Sequence, residues 1–179
     1  MAVIKKIKFL DLYQQSLPIK NQIRKKINSC IRESNFINGK EVNLFQNSFK
    51  LYLGIKHCLG VANGTDALEI AIRSLNLKKN SEIIVPANSW ISSAEAVLTN
   101  NFKLKFVDVD ETCNICIKDL KKKISKQTSA IIVVHLFGNP ANILSISRYC
   151  KQYNIKIIED CAQAHGAAIQ NKKMSTIGD

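Results

Sequence analysis

From His57 onward the chain repeats one pattern. Short strand-like apolar runs stand at residues 58–62, 82–85, 104–107, 130–134 and 156–158, spaced by roughly 24 residues, which is room for a strand, two loops and a helix. Helical patterns fill the gaps. Leu68, Ala71, Ile72 and Leu75 share one face, Ala94, Val97 and Leu98 another, and Ile143, Ile146 and Cys150 a third. Such alternation predicts an α/β fold, a mostly parallel open sheet with helices on both faces. The first 56 residues read differently. Ile19, Ile23, Ile27 and Ile31 recur every four residues and predict an amphipathic helix; after the Asn38–Gly39 turn, Val42, Phe45, Phe49 and Tyr52 predict a second. The expected organisation is a helical segment over 1–56 followed by an α/β domain over 57–179.

Bulk properties exclude several classes. The longest apolar run, residues 130–137 with His135 inside it, is far too short to span a bilayer. The start, MAVIKKIKFL, has no apolar core of signal-peptide length after its charges. Six cysteines at irregular spacing do not form a small-domain disulfide framework, so they read as reduced thiols in a cytoplasmic protein. The net charge of +12 is spread over short lysine clusters without interleaved aromatics, which describes a solvated surface and no nucleic-acid or membrane partner.

Open α/β sheets bind ligands beyond the carboxyl ends of their strands. Residues Asn63-Gly64-Thr65-Asp66 form a tight turn into a helix, either a plain capped helix or a phosphate site built on unpaired N–H groups and the helix dipole. Neither GxGxxG nor a P-loop is present, which argues against a nicotinamide-dependent dehydrogenase. Trp90, the only tryptophan, follows the next run and reads either as core or as a ring that stacks on a flat cofactor. His135, at the end of the fourth run, reads as a satisfied core histidine. The fifth run ends in IIEDCAQAHGA, where Asp160 needs a positive or hydrogen-bonding partner and Gln163 lies one helical turn on. A phosphate cradle, a stacking aromatic and a carboxylate for a ring nitrogen describe a pyridoxal phosphate pocket.

Several segments resemble the DegT/DnrJ/StrS family of pyridoxal-phosphate-dependent sugar aminotransferases. FLDLYQQ is similar to its opening segment and FINGKEVNLFQNSFKLYLG to the region after it. NGTDALEIAI resembles its phosphate motif, VPANSWISSAEAV its V-P-A segment, and IIEDCAQAHGA its I-E-D-x-A-Q-A-H-G-A motif. The resemblance implies the large domain of fold-type I enzymes. It places Gly64, Thr65 and Asp66 at the cofactor phosphate, Trp90 on the pyridine face, Asp160 at the pyridine nitrogen and Gln163 near the phenolic oxygen. It implies nucleotide-sugar and amino-acid substrates, with glutamate or glutamine as donor, and a homodimer.

Departures from the family pattern add further expectations. Cys113 and Cys116 form a CxxC where the family carries tyrosine and aspartate, but no second cysteine pair completes a metal set, so no metal is expected. The family's Schiff-base lysine is expected beyond residue 179, with Lys172 and Lys173 on an exposed hairpin. On this reading the chain is an amino-terminal half: a truncated large domain, without the carboxyl-terminal small domain and inactive alone. The alternatives are a sugar dehydratase of the same family, or a non-catalytic remnant that binds a partner.

Overall fold

The structure, a computed structural model, describes residues 7–179; the start of the chain with the Lys5–Lys6 pair lies outside the described residues. The chain separates into two compact units, one ending at Asn47 and the other Ser48–Asp179, with the boundary inside the third helix.

The first unit is helical. Helix α1 (Leu12–Ser16) is capped by Asp11, whose carboxylate accepts from the Gln14 N–H at 3.1 Å. A 3₁₀ turn holding Pro18 leads into α2 (Lys20–Arg32), and α3 (Lys40–Leu53) follows. Of the isoleucine stripe, Ile23, Ile27 and Ile31 lie on α2 and Ile19 ends the 3₁₀ turn before it, and all four are exposed.

The second unit contains α4 (Gly64–Ser74), β1 (Glu82–Pro86), α5 (Ser92–Thr99), β2 (Lys103–Val107), α6 (Ile117–Lys123), β3 (Thr128–Val134), α7 (Ile143–Gln152) and β4 (Lys156–Asp160), then a small hairpin of β5 (Ala168–Ile169) and β6 (Lys172–Lys173). The first four strands form one parallel sheet in the order β2-β1-β3-β4. Side chains alternate across a strand, so each sends successive residues to opposite faces. Ile84, Ile131, Val133 and Ile157 pack with Leu120 of α6 and Ile143, Ile146 and Cys150 of α7. Ile83, Val85, Ile132 and Ile158 pack on the other face with Leu68 and Ile72 of α4 and Ala94 and Val97 of α5. Helices on both faces explain why the strands read as continuous apolar runs. At the amino end of the sheet, buried Glu82 accepts from Thr128 Oγ1 at 2.6 Å and pairs with Lys105 Nζ at 2.7 Å, joining β1 to both neighbours.

Two expectations fail. Residues 58–62 form no strand: they make no ladder pairing and most of them are exposed. An apolar run becomes a strand only where a ladder partner lies beside it, and among the described residues none pairs with 58–62. Leu98 points to solvent instead of joining Ala94 and Val97, because the buried face of α5 runs through Ser93, Ala94, Ala96 and Val97. Among the described residues no helix is long and apolar enough to cross a membrane.

Ile131 lies at the centre of β3 with no exposed surface, whereas Ile70 on α4 is half exposed. Ile131→Ala is expected to destabilise the domain by about 2–5 kcal/mol in urea unfolding, and Ile70→Ala by about 0.5 kcal/mol or less. Equal losses at the two positions would contradict the assignment of the core.

Candidate active site

The polar residues singled out in the sequence gather at the carboxyl ends of the parallel strands, together with the start of α4. Asn63 caps α4, its Oδ1 accepting from the Asp66 N–H at 2.9 Å. Among the described residues the N–H groups of Gly64 and Thr65 have no acceptor, so two donors at the positive end of the helix dipole face open space. A Cβ built on Gly64 would meet nothing within 4 Å. Its φ is not positive, so the glycine here supplies room and not an unusual backbone shape. Thr65 Oγ1 lies 2.7 Å from Ser92 Oγ, which joins the starts of α4 and α5. Asp66 takes a different side: it lines a separate cleft with Glu69 and Arg73, and its carboxylate accepts from Asn63 Nδ2 at 3.2 Å.

Asp160 ends β4. Its Oδ1 accepts from the Ala162 N–H at 3.1 Å, and among the described residues its other oxygen has no partner. Asp160 and Gly64 line one cavity of about 350 Å³, with Phe49 and Leu53 of α3, Leu68 of α4, and Ala162. Trp90 does not line it. The indole stands in the loop after β1, 76% exposed, clear of the core and able to meet a flat partner. Gln163 reaches back to the loop after β3, where its Oε1 accepts from the Phe137 N–H at 2.7 Å. With that oxygen engaged, the amide NH₂ remains as a donor.

Glu159 sits beside Asp160 but on the opposite face, with a side chain only 3% exposed. Its Oε1 accepts from the N–H groups of Ile177 (2.7 Å) and Gly178 (2.6 Å). Its Oε2 accepts from Ser175 N–H (3.2 Å) and lies 3.1 Å from Nε2 of fully buried His135. His135 Nδ1 accepts from the Ala141 N–H at 3.0 Å, so the proton of the neutral ring is on Nε2 and points at Glu159. Burial opposes the charge on Glu159, but the hydrogen bonds from His135, Gly178 and Ile177 outweigh it and hold the carboxyl below its ordinary value of 4.5. Cys161 lies close enough for His135, Glu159 and Cys161 to resemble a metal site, with ligand atoms within 4.8 Å of one another. The chemistry is that of a hydrogen-bond network instead. Both histidine nitrogens are committed, and burial pushes the Cys161 thiol up to about 11, far from the thiolate a metal needs. The sequence reading gave Glu159 no role. The signal was available in the alternation of side chains, which sets neighbouring Glu159 and Asp160 on different faces and therefore to different tasks.

These groups fit pyridoxal phosphate in kind: free N–H donors at a helix start, an exposed indole, a carboxylate with an unengaged oxygen at a strand end, and an amide whose donor end is free. Comparison with known proteins agrees in kind. The sequence pattern of the DegT/DnrJ/EryC1/StrS aminotransferase family matches residues 18–179. This chain belongs to the DegT/DnrJ/EryC1/StrS aminotransferase family.

Within that family, the chain is 41% identical to a dTDP-3-amino-3,6-dideoxy-alpha-D-galactopyranose transaminase of Aneurinibacillus thermoaerophilus, over 97% of this chain and 48% of that one. A solved DegT/DnrJ/EryC1/StrS aminotransferase of Brucella abortus superposes with a TM-score of 0.92 at 30% identity, over 97% of this chain and 48% of that one. A GDP-4-keto-6-deoxy-D-mannose-3-dehydratase of E. coli, solved with bound hydrated PLP, superposes at 0.82 and 34% identity, over 87% of this chain and 42% of its own. The chain spans about half the length of the curated relatives it matches. One expectation is corrected here. The chain was read as an amino-terminal half, a truncated domain lacking its Schiff-base lysine. The family likeness instead runs through 97% of this chain's residues, as does the likeness to the solved Brucella abortus structure.

Glu159→Gln tests the buried network. An amide opposes one of its own donors to the donors gathered around it, so a loss of about 1–3 kcal/mol is expected in thermal or urea unfolding at neutral pH. The sign of the pH dependence follows from the lowered carboxyl. The stability that Glu159 contributes is present above its ordinary value of 4.5 and is lost as pH falls through its lower folded value. The gap between wild type and variant should therefore shrink in acid. A gap that widens below that value would contradict the network.

Proposed function

We propose that this chain binds pyridoxal 5'-phosphate and serves an aminotransferase that moves an amino group from glutamate or glutamine to a keto-sugar nucleotide. The observation that carries the reading is the cavity shared by Asp160 and Gly64, with unengaged donors at the start of α4 and an unengaged carboxylate oxygen at the end of β4. Family membership and the nucleotide-sugar transaminases among its relatives support it. A homodimer and a cytoplasmic setting belong to the same proposal; the irregular spacing of the six cysteines supports the second.

When bound, the cofactor supplies an electron sink for breaking a bond at the substrate's amino-bearing carbon. The protein's part is binding and electrostatics. The N–H groups of Gly64 and Thr65 hold the phosphate, with the dipole of α4 behind them. The Asp66 carboxylate accepts from Asn63 Nδ2 and at this position completes the cap of α4. The exposed indole of Trp90, in the loop after β1, would be available to lie against a face of the ring. Asp160 keeps a proton on the ring nitrogen, because a nearby carboxylate favours the cationic form. The Gln163 amide donates to the phenolic oxygen.

Asp160→Asn is the direct test. The variant should keep the fold, as judged by circular dichroism and melting temperature, yet lose turnover by about 10²-fold or more, because a neutral amide cannot stabilise the protonated ring. Turnover equal to wild type in the folded variant would overturn the assignment of Asp160.

A further inference from the structure

Phe137 is held in a conformation that a bulky side chain avoids. Its backbone lies at φ 55° and ψ 22°, in the left-handed region, and the residue is 75% exposed, so burial of the side chain is not what keeps it there. Gly138 follows at φ +80°, close against Gln163, whose carbonyl oxygen would lie 3.3 Å from an added Cβ. Strained non-glycine residues persist only where their surroundings over-determine them, and they concentrate at functional sites. Here the surroundings are explicit. Asn114, buried in the segment between β2 and α6, brackets the turn from beneath. Its Oδ1 accepts from the Leu136 N–H and its Nδ2 donates to the Asn139 carbonyl, each at 3.1 Å. Inside that bracket the Asn139 N–H returns to the Leu136 carbonyl at 3.0 Å, and beside it His135 Nδ1 accepts from Ala141.

What the strained turn delivers is one aimed donor, the Phe137 N–H, 2.7 Å from Gln163 Oε1. That bond decides which end of the Gln163 amide is free. With the oxygen occupied, only the NH₂ is presented outward; released, the amide can rotate and present its oxygen, which repels another acceptor. We propose that Asn114 is a positioning residue of this site: it clamps the 136–139 turn so that the Phe137 N–H locks the Gln163 amide with its donor end toward the cofactor's phenolic oxygen. The inference rests on the pyridoxal phosphate reading and adds to it the device that sets the polarity of one contact. The CxxC pair brackets Asn114 in sequence, so the residue between the two cysteines that matters is this amide.

The test uses Asn114→Ala and Gly138→Ala, which loosen the turn from beneath and from the Gln163 side, each made alone and in a Gln163→Ala background. Pyridoxal phosphate binding is followed by quenching of the single tryptophan, and the bound cofactor's visible absorption is titrated with pH. A donor to the phenolic oxygen favours its ionised form, so losing that donor moves the titration midpoint upward. Both turn variants are expected to raise the midpoint by about half to one pH unit and to weaken binding by up to about tenfold, the equivalent of one hydrogen bond. In the Gln163→Ala background neither should move the midpoint further, because the amide through which they act is gone. A purely structural role for Asn114 would leave the midpoint at its wild-type value, or shift it equally in both backgrounds; either result overturns the inference. If Asn114→Ala does not fold, Gly138→Ala, which empties no buried site, decides the matter by the same criteria. Normal binding by the wild type with unmoved variants overturns this inference alone. No binding by the wild type overturns the cofactor reading and the inference together.

Discussion

A carboxylate in a protein interior is tolerable only when donors surround it, and Glu159 shows how far one such requirement reaches. Its donors come from His135 at the end of β3 and from the backbone of residues 175, 177 and 178. A single side chain therefore joins the two strands that carry the candidate site to a segment distant in sequence. His135 passes the constraint on, because its other nitrogen accepts from Ala141 across the loop that follows β3, and its own N–H donates to the Asp160 carbonyl. The network is closed among its own members, which is why its proximity to Cys161 produces no ligand set for a metal.

The pleat of β4 divides the labour between adjacent residues. Glu159 is consumed by structure, its carboxylate enclosed by His135 and the backbone N–H groups of Ser175, Ile177 and Gly178. Asp160 shares a cavity with the start of α4 and, among the described residues, keeps an unengaged oxygen. A strand end is well suited to this arrangement, since its last carboxylate is fixed in position by the ladder yet released from the core. The Thr65–Ser92 contact performs a similar service for the helix starts, holding α4 and α5 so that the free N–H groups of Gly64 and Thr65 share a fixed origin.

The turn after β3 belongs to the same economy. Asn114 and His135 are buried, each satisfies backbone groups of residues 136–141, and between them they sustain a left-handed Phe137. Neither acts by reaching the open side of the sheet; each acts by fixing the direction of a backbone N–H. Such contributions are easily missed when attention goes only to side chains that face a cavity.

Periodicity and strand-end chemistry determined most of what was legible in advance. Four of the five apolar runs became parallel strands, with helices between them, because burial on both faces of a sheet leaves a continuous apolar signature. The positions of Trp90 and Asp160 at or after strand ends, and of Gly64 at a helix start, were legible because turn chemistry and a change from apolar to polar residues mark them in the sequence. Tertiary structure alone decided the rest. Whether residues 58–62 form a strand depends on a neighbour to pair with, which no local pattern encodes. The roles of Glu159 and Asn114 depend on backbone groups brought from 16 to 25 residues away. A sequence records which polar groups must be satisfied, but only the folded chain decides by whom, because hydrogen-bond partners are set by distance in space and not by distance along the chain.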